Sequence, residues 1–432
     1  MTIKDRLNDH LNSIVLQYGQ HQGLTKEEAA YFYIGPHEEV APGVWHFYSL
    51  AHSITFICED RLMQVDANIG FKAPEVIEQM RKITKLPIDS IAITHGHIDH
   101  CLGTWHYVRD NLDRGFGHPK IIAHKNLRDR IDKNKMMEGH RSGTDKKQFQ
   151  FDMKLKEEFV YANVEFMDRL EITVKDQSFL IVYGNGHTED SIWVYNPERK
   201  VLCCGDLFQW TAPNVGNPYK MQRFALENAQ ALEEMAAQGA DVLCPGHGPV
   251  IYGKEEIKTC LLTSARYLHT IQDHVVACLN KGMILEETVN TLEMPEDLLN
   301  SKWLPPLYGH PTFIAKGIFK RYAGYYSGRP AELFPPDYAD MAKEMVALAG
   351  GSAPILERVR HLMEKGQVEL ACQLSEWLIE SDPDNQNAWE LYGMLFKERA
   401  EKEFNMQARG TWNQAVRRAV SNLERLEAQA RV

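Results

Sequence analysis

The sequence predicts an α/β layer domain over about residues 40–250, followed by an all-helical, tetratricopeptide-like region. Three observations carry this expectation. Short runs of β-branched and aromatic residues alternate with amphipathic stretches up to about residue 250. The strand-like signal stops near Lys254. Long helical stretches separated by short polar or Gly/Pro breaks then continue toward the C-terminus. The domain boundaries drawn from this pattern are 1–252, with 1–39 as an N-terminal extension, and 253–432.

Taken in order, a short amphipathic segment over about 3–18 comes first. The runs Ser53–Cys58, Leu62–Val65, Ser90–Ile93, Lys120–Ala123, Ser178–Tyr183, Ser191–Tyr195 and Lys200–Cys204 read as strands. Between them, Ala73–Thr84 and Leu102–Leu112 have the 3.6-residue spacing of helices. Strands and helices mixed at this density indicate packed layers. The polar, basic stretch 126–150 reads as a flap or a surface helix. Helices are then expected over Glu255–Lys281, Phe313–Tyr326, Asp337–Ala349, Ile355–Glu364, Val368–Glu380, Asn387–Lys402 and Thr411–Ala428. The stretch Ile355–Glu380 followed by Asn387–Lys402 has the length of one tetratricopeptide-like unit.

Composition narrows the class. Of 432 residues, 44% are hydrophobic and 25% charged, which excludes a disordered, collagenous or disulfide-scaffold chain. The net charge of −11 and the absence of a Lys/Arg run argue against a nucleic-acid partner. No apolar run approaches a membrane span, and charges occupy the place of a signal peptide's apolar stretch. Eight scattered cysteines, none in a CxxC pair, read as reduced thiols of a cytoplasmic protein.

The segment carrying chemistry is Thr94-His95-Gly96-His97-Ile98-Asp99-His100, directly after an apolar strand. With 18 His in the chain, three His and one Asp at fixed positions arise by chance on the order of 2 × 10⁻³ times over its length. Imidazole nitrogen and carboxylate oxygen suit Zn²⁺, and alternation at a strand end lets ligands converge on one point. Later strand ends each deliver another ligand type: Gly186-His187-Thr188, Cys204-Gly205-Asp206 and Cys244-Pro245-Gly246-His247. Val65-Asp66-Ala67 places a carboxylate at a further strand end.

On these motifs the region up to about residue 250 resembles the metallo-β-lactamase superfamily, which implies an αββα sandwich with the site at one edge of two facing sheets. The resemblance implies one metal held by His95, His97 and His187, and a second by Asp99, His100 and His247, with Asp206 bridging both. Asp66 would orient ligands from behind. Two Zn²⁺ ions would supply a shared hydroxide as nucleophile, with Asp99 as the catalytic carboxylate orienting it or taking its proton. Iron or manganese fit the same donors.

The region 255–425 resembles the dimerisation domain of the alkylsulfatases. The motifs are Arg321-Tyr322-Ala323-Gly324-Tyr325-Tyr326-Ser327-Gly328-Arg329-Pro330, Phe334-Pro335-Pro336, Leu348-Ala349-Gly350-Gly351, Asp382-Pro383-Asp384-Asn385 and Trp412-Asn413. It implies a homodimer acting on a small-molecule sulfate ester. Departures from that family are His187 and Asp206, where its members carry glutamates, and the lack of its sterol-carrier-like third domain and of a secretory signal. The His187 and Asp206 pattern favours the alternative, a glyoxalase- or lactonase-like hydrolase of thioesters or lactones. A non-enzymatic helical scaffold would predict a decayed ligand set, and all seven ligand positions are intact. Candidate substrate contacts are His140 and Arg141 in the polar stretch, Asn214, Asn217 and Tyr219 after Asp206, and Tyr308 and His310 in a Pro-flanked loop.

Overall fold

The computed structural model describes residues 2–20, 25–149 and 158–431, and packing divides them into two units. The α/β unit comprises 25–138 and 158–325; the helical unit comprises 2–20, 139–149 and 326–431. These limits differ from the boundary drawn at 252/253. The helix Lys254–Asn280 carries an apolar stripe (Ile257, Leu261, Leu268, Ile271, Val275) that packs into the α/β unit's own core. Conversely, the helix Ile3–Gln20 joins the helical unit through Leu7 and Leu11.

In the α/β unit, one seven-stranded sheet runs in chain order: β1 (Glu38–Ala41), β2 (Val44–Phe47), β3 (Ser53–Cys58), β4 (Arg61–Val65), β5 (Ile88–Ala92), β6 (Lys120–His124) and β7 (Val164–Phe166). The six-stranded partner sheet contains β8 (Arg169–Val174), β9 (Gln177–Tyr183), β10 (Ile192–Asn196), β11 (Val201–Gly205), β12 (Val242–Pro245) and β13 (Ile251–Tyr252), ordered β13-β12-β11-β10-β9-β8. Strands β4 to β7 are mutually parallel, as are β11 and β12. Parallel pairs need crossovers, and the helices Ala73–Ile83, Thr104–Asp113, Asn126–Met136 and Ala225–Ala237 lie in the four connections.

One apolar layer joins the inner sheet faces: Phe56, Met63, Ala92 and Ile122 meet Phe179, Ile181, Val194 and Cys203. The rings of Phe56 and Phe179 lie edge to face at 5.1 Å. On the outer face of the first sheet, Val76, Ile77 and Met80 of the first crossover helix close a second core. On the outer face of the second, Trp193 and Leu202 are covered by Ala229, Leu232 and Met235. The result is the four-layer αββα arrangement expected.

The strand directions place the site. In parallel strands the C-terminal ends share an edge, so the segments after β4, β5, β11 and β12 emerge together. Strand β9 is antiparallel to β10, which is antiparallel to β11, so the turn after β9 leaves at that edge too.

The helical unit stacks Tyr338–Leu348, Ser352–Glu364, Val368–Ser381, Gln386–Lys402 and Met406–Ala430 around Leu7, Val359, Leu362, Trp389, Leu395, Val416 and Leu423. Its Asp382-Pro383-Asp384-Asn385 break is a helix start: Asn385 Oδ1 accepts from the Ala388 amide at 3.1 Å. Among the described residues no helix is long and apolar enough to cross a membrane.

Candidate metal centre

The strand-end segments converge on two adjoining groups of ligand atoms. His95, His97, His187 and Asp206 form one group, and Asp99, His100 and His247 the other, with the atoms of each group within 4.8 Å of one another. In the first, His95 Nε2 lies 2.9 Å from His97 Nδ1, which lies 3.2 Å from His187 Nε2. Asp206 Oδ2 stands 3.3 Å from His187 Nε2 and 3.8 Å from His95 Nε2. The other oxygen, Oδ1, faces the second group, at 3.3 Å from His100 Nε2 and 3.7 Å from His247 Nε2. Asp99 Oδ2 completes that group, 3.3 Å from His247 Nε2 and 3.8 Å from His100 Nε2. One carboxylate therefore turns one oxygen to each cluster, the arrangement of a bridging ligand.

These separations test the fit of a metal. Four ligands around a cation at about 2.0–2.1 Å define a tetrahedron whose edges are about 3.4 Å. The observed edges of 2.9–3.8 Å bracket that value. His100 Nε2 and Asp206 Oδ1 are buried 3.3 Å apart and form no well-aligned hydrogen bond among the described residues, an arrangement a cation would satisfy.

Electrostatics agree with the geometry. Burial, reinforced by neighbouring imidazoles, by Arg130 at His95 and His97 and by Arg223 at His97 and His187, holds all three rings well below the ordinary histidine range, which leaves them neutral, the state that ligates. Burial acts against ionisation of Asp206, but His100, His247 and His187 outweigh it and hold the carboxyl well below its usual range. Asp99 is brought down to about 2, burial again being outweighed, here by His100 and His247. Burial is likewise overcome at His100 and His247, whose basicity is raised by Asp206 together with Asp99 and, for His100, Asp66. Three carboxylates in a desolvated space demand positive charge, and a divalent cation meets that demand better than a proton.

Asp66 stands behind the centre. Its Oδ2 lies 2.8 Å from His100 Nδ1 and accepts from Thr94 Oγ1 at 2.7 Å, while Oδ1 accepts the Thr94 amide at 2.7 Å. A proton on Nδ1 leaves His100 Nε2 free to ligate, the carboxylate–histidine–metal relay. Asp66 adopts a left-handed backbone (φ 57°), held by the Ala92 carbonyl through its amide.

The other expected contacts fall in different places. Asn214 is buried, and its carbonyl accepts from Arg223 Nη1 at 2.6 Å. Asn217 Oδ1 accepts the Tyr219 amide at 2.9 Å, so this pair shapes a turn. Tyr308 is buried and its ring stacks on Tyr31 at 5.6 Å. His310 is the N-cap of helix Pro311–Ala323, its Nδ1 accepting from the Thr312 amide at 3.2 Å. His140 and Arg141 lie on helix Glu138–Phe149 in the helical unit, and Arg141 pairs with Asp145 at 3.5 Å.

Two residues absent from the sequence reading border the centre. Arg223, 5% exposed, lies against the His187 ring, with Nη1 2.9 Å from Nδ1 and 3.1 Å from Nε2. Burial brings its guanidinium down to about 10, still cationic at neutral pH. Tyr31, at the end of the short helix Lys26–Tyr31, stacks on His247 at 5.4 Å. Arg223 sits in an unremarkable Met-Gln-Arg-Phe context, and Tyr31 lies far upstream of every motif, so no local signal marks either.

The fold is that of an αββα sandwich whose strand ends gather two adjoining groups of candidate metal ligands, and residues 69–247 match the family model described as metallo-beta-lactamase superfamily. Residues 285–421 match a second model, alkyl sulfatase dimerisation. Two separate regions of the chain thus match a metallo-beta-lactamase model and an alkyl sulfatase dimerisation model. A linear primary-alkylsulfatase of Pseudomonas sp. is 25% identical over 351 residues, covering 75% of this chain and 65% of that protein. An alkyl/aryl-sulfatase of Saccharomyces cerevisiae is 22% identical over 333 residues, covering 71% and 51%. The solved stereoselective inverting sec-alkylsulfatase Pisa1 of Pseudomonas sp. shares the fold with a TM-score of 0.79 at 21% identity, over 89% of this chain and 65% of that one. The chain spans less than two thirds of the length of these relatives.

Proposed function

We propose that the protein is a dinuclear metal-dependent hydrolase of sulfate esters. The observation that carries this reading is the pair of ligand clusters sharing the two oxygens of Asp206, in a chain that also matches the alkyl sulfatase dimerisation model. Zinc is the favoured metal, because six neutral-capable imidazole and carboxylate positions around a shared carboxylate suit its borderline character. Bound there, two cations would acidify a shared water and polarise the ester oxygen.

The remaining work belongs to the chain. Arg223 supplies a buried cation beside His187 for the anionic sulfate. Asp99, ionised and the most solvent-open carboxylate of the cluster at 26% side-chain exposure, receives the proton at the open face. Asp66 fixes the His100 tautomer. Tyr31 and Tyr308 form an aromatic wall that excludes water on the His247 side.

The assembly in this reading is a homodimer. Support comes from the dimerisation-model match and from large apolar side chains that a single helical unit leaves in solvent, Phe334 at 90% and Leu348 at 81% exposure. Eight free, buried cysteines support a reducing, cytoplasmic setting. A second reading, hydrolysis of a thioester or lactone, is favoured by the Gly-His-Thr and Gly-Asp contexts of His187 and Asp206.

The test is incubation of the metal-loaded protein with medium-chain alkyl sulfates, acyl thioesters and lactones, with released sulfate, thiol and acid quantified. Sulfate release abolished in Asp206→Ala supports the first reading. Turnover confined to thioesters or lactones supports the second.

A further inference from the structure

The peptide of Gly96 lies between two ligands of the first cluster, and it is gripped from both sides. Its amide donates to Asp190 Oδ2 at 2.6 Å, and its carbonyl accepts from Asn134 Nδ2 at 2.9 Å. Both side chains are buried, Asp190 at 1% and Asn134 at 7% exposure. Asp190 comes from the turn that carries His187; Asn134 comes from the helix Asn126–Met136. A side chain at position 96 has no room: a Cβ there would sit 2.6 Å from Arg130 Cγ and 3.0 Å from Leu127 Cδ1.

The same helix and turn are tied to each other independently of Gly96. Asn126 Nδ2 donates to the Glu189 carbonyl at 2.7 Å, Arg130 Nη1 to Glu189 Oε2 at 2.9 Å, and Lys133 Nζ to Glu189 Oε1 at 3.1 Å. Three backbone pieces thus form one block: the His95-Gly96-His97 turn, the His187 turn, and the helix behind them.

We infer that Asp190 is a positioning residue for the His95/His97/His187 half of the centre, acting through the Gly96 peptide. This rests on the dinuclear reading above. No bond is made from Asp190 to a ligand ring. Its effect is to fix the backbone from which two of the three imidazoles project, while Asn134 prevents that peptide from rotating. The second cluster (Asp99, His100, His247) has its own support from Asp66, so loss of Asp190 acts on one half of the centre.

The experiment is chelator competition on metal-loaded protein, with no activity readout required. Replacement of a group supporting metal ligands typically costs about 10–100-fold in affinity. Asp190→Ala is therefore expected to lose about that factor at one of two sites, while the other keeps its wild-type affinity. Asn134→Ala moves the same site in the same direction and guards against misfolding of the first variant. Asp190→Asn retains an acceptor for the Gly96 amide and returns affinity to within a few-fold of wild type.

A cobalt-substituted sample adds a spectral check, since only the bands of the affected site should change. Wild-type affinity at both sites in Asp190→Ala and Asn134→Ala overturns the inference. So does equal weakening of both sites, which marks a general structural role, or an Asp190→Asn defect as deep as Asp190→Ala. A wild-type protein that binds no divalent metal overturns the dinuclear reading itself, a separate result.

Discussion

Replacement of Arg223 by Met removes the buried cation that touches the His187 ring while keeping most of the side-chain volume. The guanidinium is 5% exposed and anchored by Nη1 at 2.6 Å from the Asn214 carbonyl, so it cannot swing into solvent. A sulfate charge at about 5 Å, with an effective dielectric of about 20, gains about 3 kcal/mol from it. That corresponds to a factor of about 200 in kcat/KM. The assay measures kcat/KM for a medium-chain alkyl sulfate, together with inhibition by inorganic sulfate and by the uncharged alcohol product. The expected pattern is a loss of about two orders of magnitude with the alkyl sulfate, a parallel weakening of sulfate inhibition, and alcohol inhibition within a few-fold of wild type. Arg223→Lys should recover part of the loss, since it restores charge without the planar fork. A loss under tenfold, or equal losses for sulfate and alcohol, would refute an electrostatic role for Arg223.

Three further outcomes follow from separate parts of the molecule. Asp66→Asn weakens retention of the cation held by His100 about 10–100-fold, measured by equilibrium dialysis, because the amide no longer fixes the Nδ1–H tautomer. His46, wholly buried, is pushed down to about 3 by burial. The unfolded chain takes up that proton near 6.5, so stability is full above about 6.5 and falls as pH drops toward 3. Urea unfolding of metal-free protein at pH 7 and pH 5 should show wild type losing about 2 kcal/mol more than His46→Gln. Gly103→Ala would place a Cβ 2.0 Å from the Ala67 carbonyl oxygen, beside Asp66; thermal unfolding should report a destabilisation of about 1–3 kcal/mol.

The candidate ligand positions were legible because they fall in segments that follow strands with unmistakable apolar runs, and the structure brings those segments together. Strand Ser53–Cys58 appears with the bounds read from sequence. Strand β8 was not read, since Arg169, Glu171 and Thr173 alternate outward along an edge and dilute the apolar signal. The stretch 126–150 was read as a flap or surface helix. Leu127, Arg130, Ile131 and Asn134 nevertheless recur at helical spacing and face inward, and that periodicity was available in the sequence. Gln150 lies outside the described residues. Arg223 and Tyr31 owe their places to tertiary packing alone, the first beside His187 and the second upon His247. The packing units differ from the boundary drawn at 252/253 for a related reason. Strand signals end near residue 252, but the α/β sandwich still needs its outer helices, and Lys254–Asn280 provides one.

The central claim is a two-metal centre divided by the two oxygens of Asp206, and metal stoichiometry tests it most directly. Elemental analysis of protein reconstituted with zinc and desalted should give two metal ions per chain, falling to one or none in Asp206→Ala with the fold intact by circular dichroism. A wild-type value of zero, or two retained ions in Asp206→Ala, would contradict the account.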